Sequence, residues 1–285
     1  MIRVRRSPDA GSFLADAGPF LGEREAEHNL LFGICASLLH DPSAFGRGAL
    51  YLAIAEHDSR VVAAAVRTPP HNVVLSVTDD VAAIGSLAQD AHDATGSLPG
   101  VVGPSDVATA FARAWCDLVG CAATRRMANR IYRASHVTLP SGVPGAMRAY
   151  RDDDHALAIH WLDAFVREAL PDEAADESSD DMLQRRLADP DGDVRFWEID
   201  GTCVSLASYG QRTPNGIRVG PVYTPPGLRG RGYASALVGR MTAELLDGLH
   251  RYCFLFTDLA NPTANGIYQR IGYEAVSDVE HYAFV

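Results

Sequence analysis

The sequence predicts an α/β fold of the α+β type, organised as two domains that share one plan. Three observations predict it. The chain has 285 residues, about twice the usual size of one domain. The order strand, two helices, three strands, helix, strand, helix, strand can be read twice along it. Between the two readings lies "PSGVPG" at 140–145, where proline and glycine mark a break. The expected domains are therefore 1–140 and 141–285, the alternative being one continuous sheet without duplication.

In the first half, "IRVRR" reads as a short strand, followed by helical stretches at about 8–18 and 22–40, the second carrying Leu30, Leu31, Ile34, Leu38 and Leu39 at helical spacing. Three strand-like runs follow, "ALYLAIAEH", "RVVAAAVRT" and "NVVLSVT", the first two joined by a tight turn. A helix at about 80–94, a short strand near Val101, a helix after Pro104 and the strand "NRIYRASHVTL" complete the half. Beyond the break, "AMRAY" is a strand, 152–169 and 179–188 are helices, and "VRFWEI" and "CVSLASYG" form a hairpin across Asp200 and Gly201. The strand "IRVGPVYT", a helix opened by glycines, the apolar strand "YCFLFT", a helix at 262–271 and the strand "EHYAF" close the chain.

Composition narrows the function. Apolar residues make up 47 % and charged residues 21 %, an ordinary globular mixture. No run approaches the roughly 18 uncharged residues of a membrane span, and "MIRVRRSPDAGSF" lacks the apolar stretch of a signal peptide, so a cytoplasmic protein is expected. The five cysteines are scattered among apolar residues and suggest neither a disulfide framework nor a metal site. A net charge of -11 argues against nucleic acid, whose phosphates need a basic face. All 25 basic residues are arginine, so any phosphate contact falls to arginine or to backbone N–H groups.

Residues 229 to 234, "RGRGYA", follow "VGPVYTPPGL" and precede a helix. Two glycines at a strand-to-helix junction let the backbone pass close to a ligand, and the helix start offers free N–H groups and a positive dipole end. The dipole alone is worth about 0.3–1 kcal/mol, so an anion would also need several N–H donors with Arg229 and Arg231. An ordinary helix start with glycine making room for packing explains the same residues. A nucleotide P-loop is excluded, because it needs a lysine. A dinucleotide fingerprint would need a third glycine where Ser235 stands and, although Asp258 could serve as its ribose acid, too little chain follows to finish such a sheet.

Arg229-x-x-Gly232-x-Ala234 resembles the Arg/Gln-x-x-Gly-x-Gly/Ala signature of the GNAT superfamily of acyl-CoA N-acyltransferases. About thirty residues on, Asn261, Ala264, Tyr268, Gly272 and Tyr273 in "NPTANGIYQRIGY" resemble that family's second motif, although taken alone the stretch is also a capped amphipathic helix. The wording of "PVYTPPGLRGRGYASALV" is similar to glycine N-acyltransferase C-terminal domains. The resemblance is strong over 193–285, extends to 146, and is one of element order before that. It implies two GNAT-like domains, each a mixed, mostly antiparallel sheet flanked by helices, the first a degenerate copy without a CoA motif and the second catalytic.

The resemblance further implies acetyl-CoA, or another acyl-CoA, with its pantetheine arm slotted between two splayed strands. The backbone of Val222 would face the acyl carbonyl, Tyr223 and Thr224 would continue along the pantetheine, and N–H groups of Arg229, Gly230, Arg231, Gly232, Tyr233, Ala234 and Ser235 would hold the pyrophosphate. Asn261 and Ala264 belong to the same binding set, and Tyr268 would be both a contact and the general acid for the leaving thiolate. An acceptor amine of pKa near 10.4 is only about 0.04 % neutral at pH 7, so a base or water relay is expected. Glu198 is the candidate named first, with Asp258, His160 and His281 beside it.

In the first half the corresponding turn reads "SVTDDVAAIGSL", where Asp79 and Asp80 would repel a pyrophosphate. The run "EREAEHN" at 23–29 reads as a solvated helix face. Residues 152–181 hold eleven carboxylates and one arginine; they read as a solvated loop, or as a lining suited to a cationic amine. The expected partner is a small-molecule amine or amino acid, with no nucleic acid, membrane or metal, and oligomeric state is left open. The alternative function is a non-catalytic acyl-CoA-binding or sensing protein.

Overall fold

The computed structural model describes residues 1–46, 48–170 and 178–285. They form two compact units, Met1–Ile131 with Val276–Val285, and Tyr132–Ala275. The expected single break at 140/141 is not where the units divide. The reason is the last strand: Val279 to Ala283 pair antiparallel with Pro104 to Gly100, and Val285 exchanges backbone hydrogen bonds with Ala122, which ties the C-terminus into the first unit.

The first unit contains β1 (Ile2–Arg6), α1 (Ala10–Gly22), α2 (Asn29–His40), β2 (Tyr51–His57), β3 (Arg60–Arg67), β4 (Val73–Leu75), α3 (Val81–Thr95), β5 (Gly100–Pro104), α4 (Ser105–Val119) and most of β6 (Ala123–Ala134). Strands β1 to β4 pair antiparallel in sequence order, and β4 pairs parallel with β5. Period-2 alternation splits β2 to β5 between two cores. Leu52 and Ile54 join α1 and α2, whereas Ala53 and Ala55 join α3 and α4. Strand β6 begins about six residues before the predicted run and stops at Ala134.

The second unit repeats the plan with β7 (Ala146–Ala149), a 3₁₀ turn (Asp152–Asp154), α5 (His155–Ala169), α6 (Ser179–Ala188), β8 (Asp193–Ile199), β9 (Thr202–Gly210), β10 (Gly216–Tyr223), α7 (Tyr233–Asp247), β11 (Tyr252–Asp258) and α8 (Pro262–Arg270); β12 (Glu274–Phe284) starts here and ends in the first unit. Strands β7 to β10 are antiparallel and β10 to β11 parallel. Asp200 and Gly201 take positive φ angles of 48° and 78°, the geometry a two-residue hairpin turn requires. One face of the sheet packs Ala207, Ile217, Val219 and Leu255 against α7; the other packs Val194, Phe196, Leu206 and Tyr223 against α5 and α6.

Two expectations change. The run at 23–29 is not a solvated helix face: His28 and Asn29 are buried. His28 Nδ1 lies 2.8 Å from the Leu21 carbonyl and its Nε2 accepts from Val77 N–H at 3.0 Å, which makes the ring a neutral cross-link. Cys116 and Cys121 are not independent fillers either, since their sulfurs lie 2.9 Å apart. Among the described residues no helix is long and apolar enough to cross a membrane, and no cluster of three His, Cys, Asp or Glu could hold a metal ion.

Burial lowers the pKa of His28, and that of His281 to about 4, from 6.5. As pH falls below 6.5 the unfolded chain takes up protons that the folded chain refuses, so stability is lost. For His281 alone the loss between pH 7.5 and 5 is about 2 kcal/mol. Urea denaturation at the two pH values checks this, and His281→Gln is expected to shrink the difference by that amount.

Candidate functional site

Strand β10 shapes the site. It pairs with β11 from Gly216↔Tyr252 to Arg218↔Phe254 and, beyond Arg218, keeps register only with β9 among the described pairings. Opposite β9 the register passes from Val219↔Tyr209 to Val222↔Ala207, so Gly220 and Pro221 face one residue and form a bulge. Pro221 has no N–H to offer a ladder, and Gly220 has a φ of 136° that glycine tolerates. The Gly220 carbonyl accepts from Ser208 Oγ at 2.8 Å and from Arg186 Nη2 at 3.2 Å, which fixes the bulge from the α6 side. Past this point β10 and β11 part, leaving a wedge whose β10 edge is Val219 to Thr224.

The end of the wedge is held by side chains. Ser205 Oγ donates to the Tyr223 carbonyl at 3.0 Å and lies 2.8 Å from Thr224 Oγ1. Arg229 Nε donates to the Thr224 carbonyl at 2.8 Å, and its Nη2 donates to Glu168 Oε2 at 2.6 Å. Its guanidinium also sits 5.6 Å from the Tyr223 ring centre, and the Tyr223 hydroxyl donates to Glu168 Oε1. Arg229 is thus folded back on the strand. Its own N–H bonds to the Pro226 carbonyl, so the donors left to the turn begin after it.

Gly230 and Gly232 have φ angles of 77° and 85°, the left-handed region that favours glycine. Gly232 is the N-cap of α7, and no side chain caps that helix. The first intrahelical bond runs from Ala236 N–H to Gly232 O, which leaves Tyr233, Ala234 and Ser235 with first-turn N–H groups pointing out of the helix. Arg231 is exposed beside them. The matching turn of the first unit is closed: Asp80 Oδ1 accepts from the N–H groups of Ala82 and Ala83, and Asp80 Oδ2 pairs with His57.

Helix α8 supplies the other wall. Asn261 caps it by accepting from Ala264 N–H at 3.0 Å, behind Pro262 in the first turn. Asn265 ties the helix down, donating to the Asp258 and Asn261 carbonyls and accepting from the Tyr132 hydroxyl. Tyr268 is buried between the rings of Tyr132 and Tyr273, at 6.4 and 6.0 Å. Its hydroxyl has no hydrogen-bond partner among the described residues, and burial pushes its pKa up to about 12.

Glu198 is not brought to this place. Its carboxylate accepts from Arg148 Nε, and Arg148 also holds Asp154 through two hydrogen bonds. Val222 aligns with Ala207 and Arg195, whereas Glu198 aligns with Cys203, so strand geometry puts Glu198 about 14 Å from Val222. Among the other named bases, Asp258 Oδ1 accepts from Ala260 N–H within a turn, His281 belongs to the first unit and His160 is exposed on α5. The acid-rich stretch divides into separate roles. Asp154 is buried on Arg148, Asp180 pairs with His155, Glu168 pairs with Arg229, and residues 171–177 lie outside the described residues. Sequence reading missed Glu168, Ser205, Tyr132 and Asn265, whose partners are remote along the chain.

Residues 156–273 match the acetyltransferase (GNAT) family. That segment lies within the second unit and contains the wedge, the open helix start and Tyr268. No curated protein matches the chain significantly. Solved structures similar over nearly all of both chains include a Drosophila protein (11 % identity, 99 % and 98 % covered, TM-score 0.70) and a GCN5-related N-acetyltransferase from Sphaerobacter thermophilus (18 %, 99 % and 95 %, 0.61). A tandem GNAT protein from the clavulanic acid biosynthesis pathway is similar as well (11 %, 100 % and 98 %, TM-score 0.54). At these identities the likeness is one of fold, and the fold is GNAT-like in a tandem arrangement.

The glycine turn gives a direct test of this geometry. A Cβ on Gly232 would lie 3.0 Å from Val143 Cγ2, on a backbone that L residues avoid. Gly232→Ala is expected to cost about 1–2 kcal/mol, read by urea denaturation. Gly227→Ala, whose Cβ would meet nothing within 4 Å, should stay within about 0.5 kcal/mol of wild type.

Proposed function

We propose that the second unit is an acyl-CoA-dependent N-acyltransferase, acetyl-CoA being the simplest donor, which acylates a primary amine of a small molecule or amino acid by direct attack in a ternary complex. The observation that carries the reading is the pairing of a wedge between β10 and β11 with an uncapped, glycine-preceded helix start at its mouth. The uncapped N–H groups of Tyr233, Ala234 and Ser235, with those of Gly230, Arg231 and Gly232, would hold the pyrophosphate, and Arg231 would add charge. The edge of β10 from Val219 to Thr224 would pair with the pantetheine as a strand. The wording of residues 221–238 that is similar to glycine N-acyltransferase domains agrees with an amino-acid acceptor.

When bound, the acyl-CoA supplies an activated thioester carbonyl. A backbone N–H near Val222 would stabilise negative charge growing on its oxygen. Tyr268 is a neutral donor at pH 7. Burial holds it protonated, so it would donate to the leaving sulfur as negative charge builds there and would act as the general acid that yields the free CoA thiol. In this reading the first unit does not bind CoA, because Asp80 occupies the donors that α7 leaves open.

Calorimetric titration with acetyl-CoA is expected to give one site per chain in the wild type and none in Gly232→Asp. Release of CoA thiol with a panel of amines reads turnover. Tyr268→Phe should lower kcat about 10- to 100-fold, the worth of a hydrogen bond to a charged group, while leaving acetyl-CoA binding within about twofold. Binding without turnover on any amine would favour the sensing alternative, and no binding would overturn the proposal.

A further inference from the structure

Of the five cysteines, the two at the end of α4 are placed unlike the rest. Cys35 and Cys253 are buried in apolar cores, and Cys203 accepts a hydrogen bond from Arg148 Nη2 at 2.9 Å. Cys116 and Cys121 are both half-buried, with their sulfurs 2.9 Å apart. A disulfide is about 2.05 Å long, so about 0.9 Å separates the pair from bonding distance.

The fold brings these sulfurs together. Cys116 stands in the last turn of α4, which Gly120 ends in the left-handed conformation (φ 75°), its N–H donating to the Cys116 carbonyl at 2.8 Å. Glycine turns the chain back there, and Cys121 packs against the core that α4 helps to build. The next residue is pinned, because Ala122 and Val285 exchange backbone hydrogen bonds at 2.9 Å in both directions. Each thiol is thus fixed by backbone on its own side, and little chain entropy is left to lose when the two join. Burial, with the hydrogen bond to Cys121, pushes the Cys116 thiol up. Cys116 therefore keeps its proton, and Cys121 is the sulfur that meets an electrophile first.

We propose that Cys116 and Cys121 form a reversible oxidation site in the first unit, which a hydroperoxide converts to an intramolecular disulfide. With hydrogen peroxide, the Cys121 thiolate attacks one oxygen and the O–O bond breaks. That oxygen stays on sulfur as a sulfenic acid, and the other takes up a proton and leaves as water. The Cys116 sulfur then attacks Cys121, forming the S–S bond and breaking S–O, and its proton leaves with the hydroxide as a second water. Two thiols and one hydrogen peroxide give one disulfide and two waters, two electrons passing from sulfur to oxygen. A thiol reductant reverses the change. The disulfide would tie the last turn of α4 to the segment that bonds Val285. The assignment is independent of the acyltransfer reading.

Reduced full-length protein is treated with hydrogen peroxide, then unfolded, alkylated with iodoacetamide and digested with trypsin. Cleavage after Arg113 and Arg125 releases residues 114–125, which carry Cys116 and Cys121 and no other cysteine. That peptide is expected to lose two hydrogens and refuse the label at least about tenfold faster than Cys203 loses it, and dithiothreitol should restore both sites. Cys116→Ser should stop the reaction at a Cys121 sulfenic acid that dimedone traps, whereas Cys121→Ser should leave Cys116 reduced. Wild type overturns the proposal if residues 114–125 keep both labels while peroxide oxidises other cysteines. It also does so if Cys121 gains oxygen without closing the bond, or if the chains link into disulfide dimers instead.

Discussion

Everything at the site depends on two parallel strands ceasing to pair. Strand β10 is bonded to β11 through Arg218, then a bulge at Gly220 and Pro221 turns its edge away while β9 keeps the other edge in register. The cost of unmade ladder bonds is limited by proline, which has no N–H to leave unpaired, and by Ser208 and Arg186, which satisfy the Gly220 carbonyl. The result is a strand edge inside a sheet. Such edges are normally covered, and the uncapped start of α7 at the same end offers donors suited to an anion at the far end of whatever pairs there.

The two units follow one strand plan and differ at this turn. In the first, a carboxylate at Asp80 closes the helix start and pairs with His57; in the second, glycines with positive φ open it. The helix start of the first unit is thus capped by its own side chain, and that of the second is not. The second unit also holds its nearest arginine in reserve. Arg229 rests on Glu168 and the Thr224 carbonyl, whereas among the described residues Arg231 donates to the Gly227 carbonyl and to no carboxylate.

Element order was legible because hydrophobic periodicity is local: the hairpin at Asp200 and Gly201, the capped helix at Asn261 and Pro262, and the glycine turn all carry their reasons within a few residues. What failed was long-range. The strand "EHYAF" shows its β character, but nothing in it reveals that β5, some 180 residues earlier, is its partner. Glu198 looked available as a base because its neighbour in space, Arg148, lies fifty residues away. The roles of Glu168, Tyr132 and Asn265 are set by equally remote contacts. Arg218 in "IRVG" reads as an ordinary strand residue; only the fold reveals that it sits where the strands part.

The central claim is that the wedge of the second unit, and not the matching turn of the first, receives the acyl-CoA. Hydrogen–deuterium exchange with and without acetyl-CoA tests it most directly, because the claim concerns particular backbone N–H groups. The account predicts slowed exchange at residues 219–224 and 230–236 with no change at 76–84. Unchanged exchange across 219–236, or protection at 76–84 instead, would contradict it.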